Sequence, residues 1–336
     1  MAYAKEVLHR AEARLDEARR QNDLDCDRRI SAIYEKLPRL REIDRELRKT
    51  SAKVYAAAFR GSESPEQAMQ TLRQENLSLQ RERDWILESE NIDPEDLERE
   101  PVCKLCGGSG WRGAAMCECL RELCRQEQKK ELSSLLGAGR ESFDRFRLDY
   151  YPAEYDPDLG TSPREIMKKV YERAVRYAQS FAPGARSLLF SGATGLGKTF
   201  LSACIARTVA DRGYSVCYVS AEALFADFEQ QKFRPREGED VTRKYLACDL
   251  LILDDLGTEM TTQFTIAALY QVVNTRLMES RATIVSTNLP VGELDRRYSA
   301  QIASRLLGAY TLYKFSGKDI RILQKSMARP TEDAGR

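Results

Sequence analysis

Residues 187–200 of the chain, SLLFSGATGLGKTF, join a short apolar run to a glycine-rich turn that ends in Lys-Thr. The turn fits the pattern G-x-x-x-x-G-K-[ST], in which glycines let backbone N–H groups point inward at phosphate oxygens. Lys198 supplies a positive charge to the β and γ phosphates, and the Thr199 hydroxyl is a magnesium ligand. We therefore predict a loop that binds ATP, formed by Gly192, Ala193, Thr194, Gly195, Leu196, Gly197, Lys198, Thr199 and Phe200.

Two carboxylates follow a second apolar run. Asp254 and Asp255 come directly after LLIL (250–253), so we expect both at the carboxyl end of a buried strand, beside the phosphate loop. Asp254 is the predicted second magnesium ligand, acting through water, and Asp255 is predicted to orient or deprotonate the attacking water. Asn288 ends a further strand, and its amide can reach the γ-phosphate or the same water. The catalytic residues predicted from these motifs are Lys198, Asp255 and Asn288.

Apolar strands alternate with amphipathic helices over the C-terminal half. Helical patterns cover residues 198–212 and 263–280. Such alternation predicts an α/β fold in which a parallel sheet lies between two layers of helices. The predicted strands are SLLFS (187–191), SVCYVS (215–220), DLLILD (249–254) and ATIVST (282–287).

The first 98 residues differ in texture, with almost no glycine and many Arg, Glu, Leu and Ala residues. Apolar residues spaced three or four apart predict helices, with a new helix beginning at Pro38, a break at Gly61–Pro65, and another helix over residues 66–89. Two interpretations stay open at this point. The region is either a solvated helical bundle or an arm that docks onto a partner protein.

The charge balance and the hydropathy of the sequence argue against several classes of protein. Lys and Arg number 53 against 52 Asp and Glu, so nucleic-acid binding would need a local basic patch. No apolar run is long enough to span a bilayer, and the charged N-terminus lacks the apolar centre of a signal peptide. We therefore expect a cytoplasmic protein, whose clustered cysteines are metal ligands or redox groups rather than disulfides.

Five of the nine cysteines lie within residues 99–125. Paired thiolates two or three residues apart can grip a tetrahedral zinc ion from two sides, and glycines after the first pair suit a tight knuckle. Cys124 is an alternative to Cys119 as the fourth ligand. The predicted zinc ligands are Cys103, Cys106, Cys117 and Cys119.

Basic and aromatic residues alternate after the second predicted strand. Single-stranded nucleic acid is bound by such combinations, through phosphate contacts and base stacking. A charged surface helix with its aromatic side chains packed inward is the equally open alternative. The segment comprises Phe225, Phe228, Lys232, Phe233, Arg234 and Arg236, followed by Arg243 and Lys244.

Together these motifs resemble the AAA+ ATPases, and above all the bacterial replicative helicase loaders of the DnaC and DnaI type, with the related IstB-like ATP-binding proteins. The resemblance covers most of the chain. It is carried by LLILDDLGTE (250–259), STNLP (286–290), SRL (304–306), FSGKDIR (315–321) and, near the N-terminus, LPRLREIDREL (37–47) and NIDPEDLEREPVCKLC (91–106).

The resemblance implies roles that spacing alone does not. Asn288 corresponds to the sensor 1 residue, Arg305 to an arginine finger that enters the neighbouring subunit's ATP site, and Arg321 to a sensor 2-like residue that contacts the nucleotide. Asp255 stands where most AAA+ proteins have Glu. The helicase loaders often have Asp at this position, as this chain does. Because little of the sequence follows Asn288, we expect a core without a full C-terminal helical lid, as the resemblance to the loaders also implies.

The implied function is an ATP-dependent loader that binds the replicative helicase, places it on single-stranded DNA, and self-associates through its ATP interface. Hydrolysis would be slow and stimulated by DNA or the partner. The alternatives are an IstB-like transposition helper on duplex DNA and a scaffold that binds nucleotide without hydrolysing it. The predicted organisation is a helical partner-binding region (1–98), a zinc knuckle (99–135), a linker and helix (136–182) and an AAA+ core (183–328).

Overall fold

A computed structural model of the protein describes residues 3–59, 65–135, 141–235 and 240–327. The chain divides into two compact units. One comprises residues 13–119, and the other joins residues 1–12 to residues 120–336. The predicted break at Gly61–Ser64 and the residues after 327 lie outside the described ranges. The domain boundaries drawn from the sequence stay predictions.

The larger unit is built on a five-stranded sheet in which every pairing is parallel. Its strands lie in the order β4 (Val216–Ser220), β5 (Leu250–Leu256), β6 (Ala282–Thr287), β3 (Leu188–Ser191) and β7 (Thr311–Lys314). The four strands predicted from the sequence are confirmed, and β7 at one edge was not predicted.

Helices cover both faces of the sheet, as the α/β prediction required. Two buried apolar clusters, one on each face, share the strands between them. The helices of this unit beyond residue 117 are α4 (Glu118–Leu135), α5 (Pro163–Ser180), α6 (Lys198–Asp211), α7 (Ala221–Phe233), α8 (Arg243–Ala247), α9 (Gln263–Met278), α10 (Leu294–Arg297), α11 (Ala300–Ala309) and α12 (Ile320–Met327).

The two layers follow from the apolar faces of the helices. α5 and α6 contribute Met167, Ala174, Leu201 and Ile205 to one cluster, and α7, α9 and α11 supply the other. Strand β6 is buried along its whole length, as expected for a strand with neighbours on both sides and helices on both faces. The carboxyl ends of the strands are therefore held in fixed positions between the two layers of helices.

A glutamine side chain forms hydrogen bonds with the backbone at the start of β4, on the outer edge of the sheet. Gln128 on α4 is buried, and its amide nitrogen donates to the Tyr214 carbonyl oxygen at 2.9 Å. Its amide oxygen accepts from the Val216 backbone N–H at 3.0 Å. The Gln128 amide thus satisfies two backbone groups at the start of this edge, which would otherwise be unpaired.

A buried arginine joins α9 to the start of the sheet. The Arg276 side chain is fully buried, and its guanidinium donates to the carbonyl oxygens of Tyr245 (2.7 Å), Cys248 (3.0 Å) and Ala282 (2.6 Å) and to the Thr283 hydroxyl (2.9 Å). The guanidinium therefore satisfies carbonyls at the end of α8 and the start of β6, groups that burial would leave unpaired.

The smaller unit contains α1 (Lys5–Lys36) from residue 13 onward, α2 (Pro38–Phe59) and α3 (Pro65–Ser89). The helix start predicted at Pro38 is confirmed. Leu40, Ile43, Ile86 and Leu87 form its apolar core. Nearby, the Asp44 carboxylate accepts from the Tyr34 hydroxyl and the Arg83 guanidinium, both at 2.7 Å, so this buried charge is paired.

A short hairpin completes the smaller unit. Strands β1 (Trp111–Arg112) and β2 (Ala115–Met116) pair antiparallel, and the Cys117 N–H donates to the Gly110 carbonyl oxygen at 2.8 Å. In the part of the chain that the structure describes, none of the helices has the length and apolar character needed to cross a membrane.

We expect Arg276→Met to lower the free energy of unfolding by about 3 kcal/mol, because it leaves several buried carbonyls without a donor. Urea unfolding followed by far-UV circular dichroism measures the change. The matched control is Arg243→Met, since Arg243 is an exposed arginine on α8. Equal stability of the two variants would contradict this account of Arg276.

Candidate functional site

The phosphate loop leaves β3 and ends at the first turn of α6, as predicted. A Cβ atom on Gly192 would lie 2.6 Å from the Phe315 carbonyl oxygen, and one on Gly195 would lie 2.1 Å from the Asp319 carboxylate. Gly195 also has a φ of +77°, a backbone conformation that favours glycine. The loop therefore needs glycine at both positions to pass under the segment that follows β7.

Lys198 lies at the base of this loop. Its side chain is buried, and Nζ donates to the carbonyl oxygens of Gly192 at 2.7 Å and Ala193 at 2.8 Å. Burial lowers the pKa of Lys198, while the negative charges of Asp255 and Asp254 act in the opposite direction. The ammonium group is thus held inside the loop, within the electrostatic influence of both carboxylates.

Asp254 is fixed by its neighbours on the sheet. The Tyr218 hydroxyl donates to Asp254 Oδ2 at 2.5 Å, and the Ser286 hydroxyl donates to Oδ1. Tyr218 lies on β4 and Ser286 on β6, the two strands that flank β5. The register of the sheet therefore determines the orientation of this carboxylate.

Asp255 follows at an irregularity of β5. Its φ is +54°, and the pairing of β5 with β6 shifts register between Leu253 and Leu256. The turn of the backbone leaves Asp255 exposed where Asp254 is buried. The residue as a whole is exposed, but its carboxyl group is partly shielded from water inside the cavity. This partial desolvation and the charge of Asp254 raise the pKa of Asp255, and Lys198 and Arg321 oppose that rise.

One cavity of about 540 Å³ brings the predicted residues together. Lys198, Asp254, Asp255, Asn288 and Arg321 all line it. The buried Oδ1 atom of Asn288 has no hydrogen-bond partner among the described residues, so it is free to accept a hydrogen bond from a ligand or a water. Thr194, Gly195, Gly197, Thr199 and Phe200 of the loop complete this part of the lining.

Carboxylate and hydroxyl oxygens are the ligands that magnesium prefers, and Thr199 and Asp254 supply both types in this cavity. The arrangement therefore suits a nucleotide with a magnesium ion.

A second wall of the cavity was missed from the sequence. Residues 141–151 had been predicted as part of a linker, yet Phe146, Tyr150 and Tyr151 line the cavity beside the loop. The Tyr151 hydroxyl donates to the Leu196 carbonyl oxygen at 2.9 Å, and the Phe146 ring stacks on Tyr151 at 5.9 Å between centroids. The aromatic density of FDRFRLDYY (143–151) was the available signal, because solvated linkers seldom carry so many aromatic residues.

Arg305 lies apart from this cavity, on α11. Its guanidinium donates to the Asn274 side-chain oxygen at 3.0 Å and to the Tyr270 hydroxyl at 2.9 Å, and it lies 4.6 Å from the centroid of the Tyr270 ring. Both partners belong to α9. The side chain is partly exposed at the surface of its own subunit.

The predicted nucleic-acid segment needs a correction. Phe225 and Phe228 are buried in the apolar core under α7, so the prediction that they stack on bases is wrong. Phe233 is 63% exposed, with Lys232 5.5 Å from the centroid of its ring. Lys244 forms an ion pair with Asp227 at 3.0 Å. Exposed basic side chains remain at Lys232, Arg234 and Arg243, and Arg236 lies outside the described residues.

The four predicted cysteine ligands lie together in the smaller unit. Their sulfur atoms are all within 4.8 Å of one another, with Cys103 Sγ 3.9 Å from Cys117 Sγ and Cys106 Sγ 3.5 Å from Cys119 Sγ. Four sulfurs bound at about 2.3 Å to a tetrahedral zinc ion would be about 3.8 Å apart. The group could therefore hold a metal ion, and Cys124 is not part of it.

The local backbone favours the ionised form of one of these thiols, Cys106, whereas burial and the hydrogen bond with Cys106 raise the pKa of Cys119. The Gly110 N–H donates to Cys106 Sγ at 3.3 Å. Burial acts to raise the pKa of the Cys106 thiol, but the Gly110 N–H and the neighbouring thiols lower it to about 6. A thiol that ionises readily is what a soft metal ion requires.

Comparison with known families agrees with this geometry. Residues 167–327 match the family model described as IstB-like ATP binding protein. These residues are therefore similar to an IstB-like ATP-binding domain. Lys198, Asp254, Asp255, Asn288 and Arg321 all lie inside the IstB-like domain, whereas the aromatic wall at residues 146–151 lies just before it.

Relatives of the IstB-like domain include replicative helicase loaders, as the sequence predicted. The chain is 24% identical over 172 residues to the helicase loader DnaC of Buchnera aphidicola, covering 50% of this chain and 66% of that protein. DnaC of Escherichia coli is 25% identical over 135 residues, covering 40% of this chain and 55% of that protein. The match thus spans between half and two thirds of these relatives. A crystal structure of DnaI superimposes with a TM-score of 0.43 and 22% identity, covering 56% of this chain and 92% of that chain.

We expect Phe146→Ala to weaken binding of a fluorescent ATP analogue roughly tenfold, because the variant removes an aromatic wall of the cavity. Fluorescence titration of the full-length protein measures the affinity. Phe143→Ala is the matched control, since the Phe143 ring packs on Tyr171 and does not line the cavity. The aromatic wall would have no part in nucleotide binding if both variants bound the analogue like the parent protein.

Proposed function

We propose that the protein is an ATP-dependent loader of a replicative DNA helicase. The observation that carries this proposal is the single cavity in which Lys198, Asp254, Asp255 and Asn288 meet, in a chain whose relatives include DnaC loaders. ATP binding and hydrolysis would control assembly of the loader on the helicase and its release from single-stranded DNA.

Each residue of the cavity has a proposed part in hydrolysis. Lys198 binds the β and γ phosphates, and Thr199 and Asp254 hold magnesium, which neutralises phosphate charge when bound. Asp255 orients the attacking water from its exposed position at the irregularity of β5. The free Oδ1 of Asn288 accepts a hydrogen bond from the same water, and Arg321 contacts the nucleotide from α12.

Arg305 is proposed to act on a neighbouring subunit. It lies outside the cavity of its own chain, where Tyr270 and Asn274 hold it at the surface of α9 and α11. An arginine held in this way is pre-oriented for the γ-phosphate of another subunit. Isolated subunits would then hydrolyse ATP slowly, and assembly would speed the reaction.

The smaller unit, residues 13–119, is proposed to bind the helicase. Its surface carries the large exposed side chains Trp85, at 68% exposure, and Leu105, at 67%. Zinc bound by the four cysteines would fix the loop that presents Leu105. In the larger unit, Lys232, Phe233 and Arg234 remain the proposed contacts to single-stranded DNA, through two charges and one exposed ring.

A loading assay with purified components tests the proposed function. The helicase of the source organism is offered single-stranded DNA coated with its single-strand-binding protein, with and without this protein and ATP. We expect helicase deposition to require both, and to fail with Lys198→Ala. Deposition that is equally efficient without this protein would overturn the proposal.

A second candidate is an IstB-like helper that acts on duplex DNA. The family model that covers residues 167–327 favours it. Phosphate release distinguishes the candidates, because a loader responds to single-stranded DNA and helicase whereas the helper responds to duplex DNA. Absence of phosphate release under all these conditions would favour the third possibility, a nucleotide-binding scaffold.

Mixing two inactive variants tests the role of Arg305. Arg305→Ala keeps an intact cavity and lacks the finger, and Lys198→Ala keeps the finger and lacks a working cavity. Each alone should release little phosphate. An equal mixture should recover roughly a quarter of the parent rate, the share of random interfaces that join an intact cavity to an intact finger. If Arg305→Ala alone hydrolyses ATP at the parent rate, Arg305 is not a finger.

Elemental analysis tests the zinc site. The purified, reduced protein should contain about one zinc ion per chain, since four thiolates match its tetrahedral preference. Cys119→Ser should lose the tightly bound metal. Cys124→Ser is the matched control and should retain it, because Cys124 lies outside the group of four. Zinc retained by Cys119→Ser and lost by Cys124→Ser would assign the fourth ligand the other way.

A further inference from the structure

A second cavity, of about 280 Å³, lies between α5 and the edge strand β7, away from the nucleotide. Its floor is apolar, formed by Ile166 and Val170 of α5 with Tyr313 of β7, whereas the Leu312 side chain packs with the apolar cluster on the opposite face of the sheet. Lys169, Arg173 and Lys314 line its rim. The cavity is a groove in which a helix runs beside the open edge of a sheet, with room for an apolar side chain.

The rim is positively charged on one flank of α5. Lys169, Arg173 and Arg176 recur at intervals of four and three residues, so they lie on the same side of the helix. All three and Lys314 are exposed, and among the described residues none of these four cations has an ion-pair partner. Burial raises the pKa of Tyr313, and the charges of Arg173 and Arg176 oppose that rise, which places both arginines near β7.

Two acidic residues of α5 adjoin this flank. Glu165 is four residues before Lys169 and Glu172 is four residues before Arg176, so both border the basic flank on one side, by the 100° per residue of an α-helix. Lys168 follows on the far side of Glu172. The basic flank is thus a local feature of the groove in a chain whose total charge is close to zero.

The edge of β7 is open, in contrast to the edge of β4. Within the described residues β7 pairs only with β3, and the N–H groups of Thr311 and Phe315 are directed at β3, where they donate to Ser187 and Ser191 at 2.8 Å. By the alternation of a strand, the N–H and C=O groups of Leu312 and Lys314 face the groove. At the β4 edge, by contrast, the Gln128 amide forms hydrogen bonds with the outward-facing Tyr214 carbonyl oxygen and Val216 N–H.

We propose that this groove binds an extended acidic peptide of a partner protein, which pairs with β7 as an added strand. The peptide's backbone bonds to the open groups of Leu312 and Lys314, one apolar side chain enters the cavity, and flanking carboxylates meet the rim cations. The site is distinct from the nucleotide cavity, so peptide binding does not depend on ATP turnover.

The groove suits a peptide better than a nucleic-acid strand. Single-stranded nucleic acid needs exposed aromatic faces on which bases stack. Among the described residues that line the groove, Tyr313 is the one aromatic residue, and it is buried against Phe190 with ring centroids 5.4 Å apart. An apolar floor and an unpaired strand edge instead match a polypeptide.

Fluorescence anisotropy with labelled heptapeptides tests the proposal on the full-length protein. The probes alternate Glu with Leu, Val or Phe, and counterparts with Lys in place of Glu test the charge requirement. We expect at least one Glu probe to bind in the micromolar range and no Lys probe to bind. Lys169→Glu should weaken binding roughly tenfold, because it reverses a charge at the rim.

Lys168→Glu is the matched control. It makes the same change at the next residue, outside the groove lining, and should alter affinity by no more than about twofold. ATP-analogue binding measured in parallel shows that each variant is folded. The proposal is overturned if no Glu probe binds the parent protein at millimolar concentration, or if the two variants weaken binding equally. It is also overturned if Lys169→Glu weakens binding of a thymidine oligonucleotide and leaves peptide binding unchanged.

Discussion

The nucleotide site depends on one constraint, the alignment of buried parallel strands whose carboxyl ends meet at the same edge. β5 lies between β4 and β6, so Tyr218 and Ser286 reach Asp254 from both sides. β6 also pairs with β3, so Asn288 follows beside the phosphate loop. Each of these side chains is short. Each is also held in place, because the strand that leads to it is buried on both faces. A slip of one residue in any pairing would remove the carboxylate or the amide from the cavity.

Sequence patterns predicted the parts of this site that are local. The loop, the two aspartates and Asn288 each follow an apolar run whose burial could be expected from composition alone. Strand β7 was missed, since four residues with one buried side chain give little alternation. The aromatic wall could not be placed, because Tyr151 and Leu196 are 45 positions apart in the sequence. Phe225 and Phe228 show the same limit, as helical spacing does not say which face of α7 the core covers.

The charges of the site are balanced before any ligand arrives. Lys198 and Arg321 act on Asp255 against the effects of burial and of Asp254, and the hydroxyls of Tyr218 and Ser286 direct both oxygens of Asp254. Polar groups oriented in advance need little rearrangement when a charged substrate binds, which is the main way in which enzymes stabilise developing charge. Tyr218 therefore belongs to the site although it is not one of its motif residues.

The larger unit begins with residues 1–12 and resumes only at residue 120, and the Tyr3 hydroxyl donates to the Gly213 carbonyl oxygen at 3.0 Å. During synthesis the first helical turn therefore leaves the ribosome long before its packing partners exist. Residues 13–119 can close on themselves first through shorter-range contacts. The contact between Tyr3 and Gly213 can therefore form only after the strands around Gly213 have been synthesised.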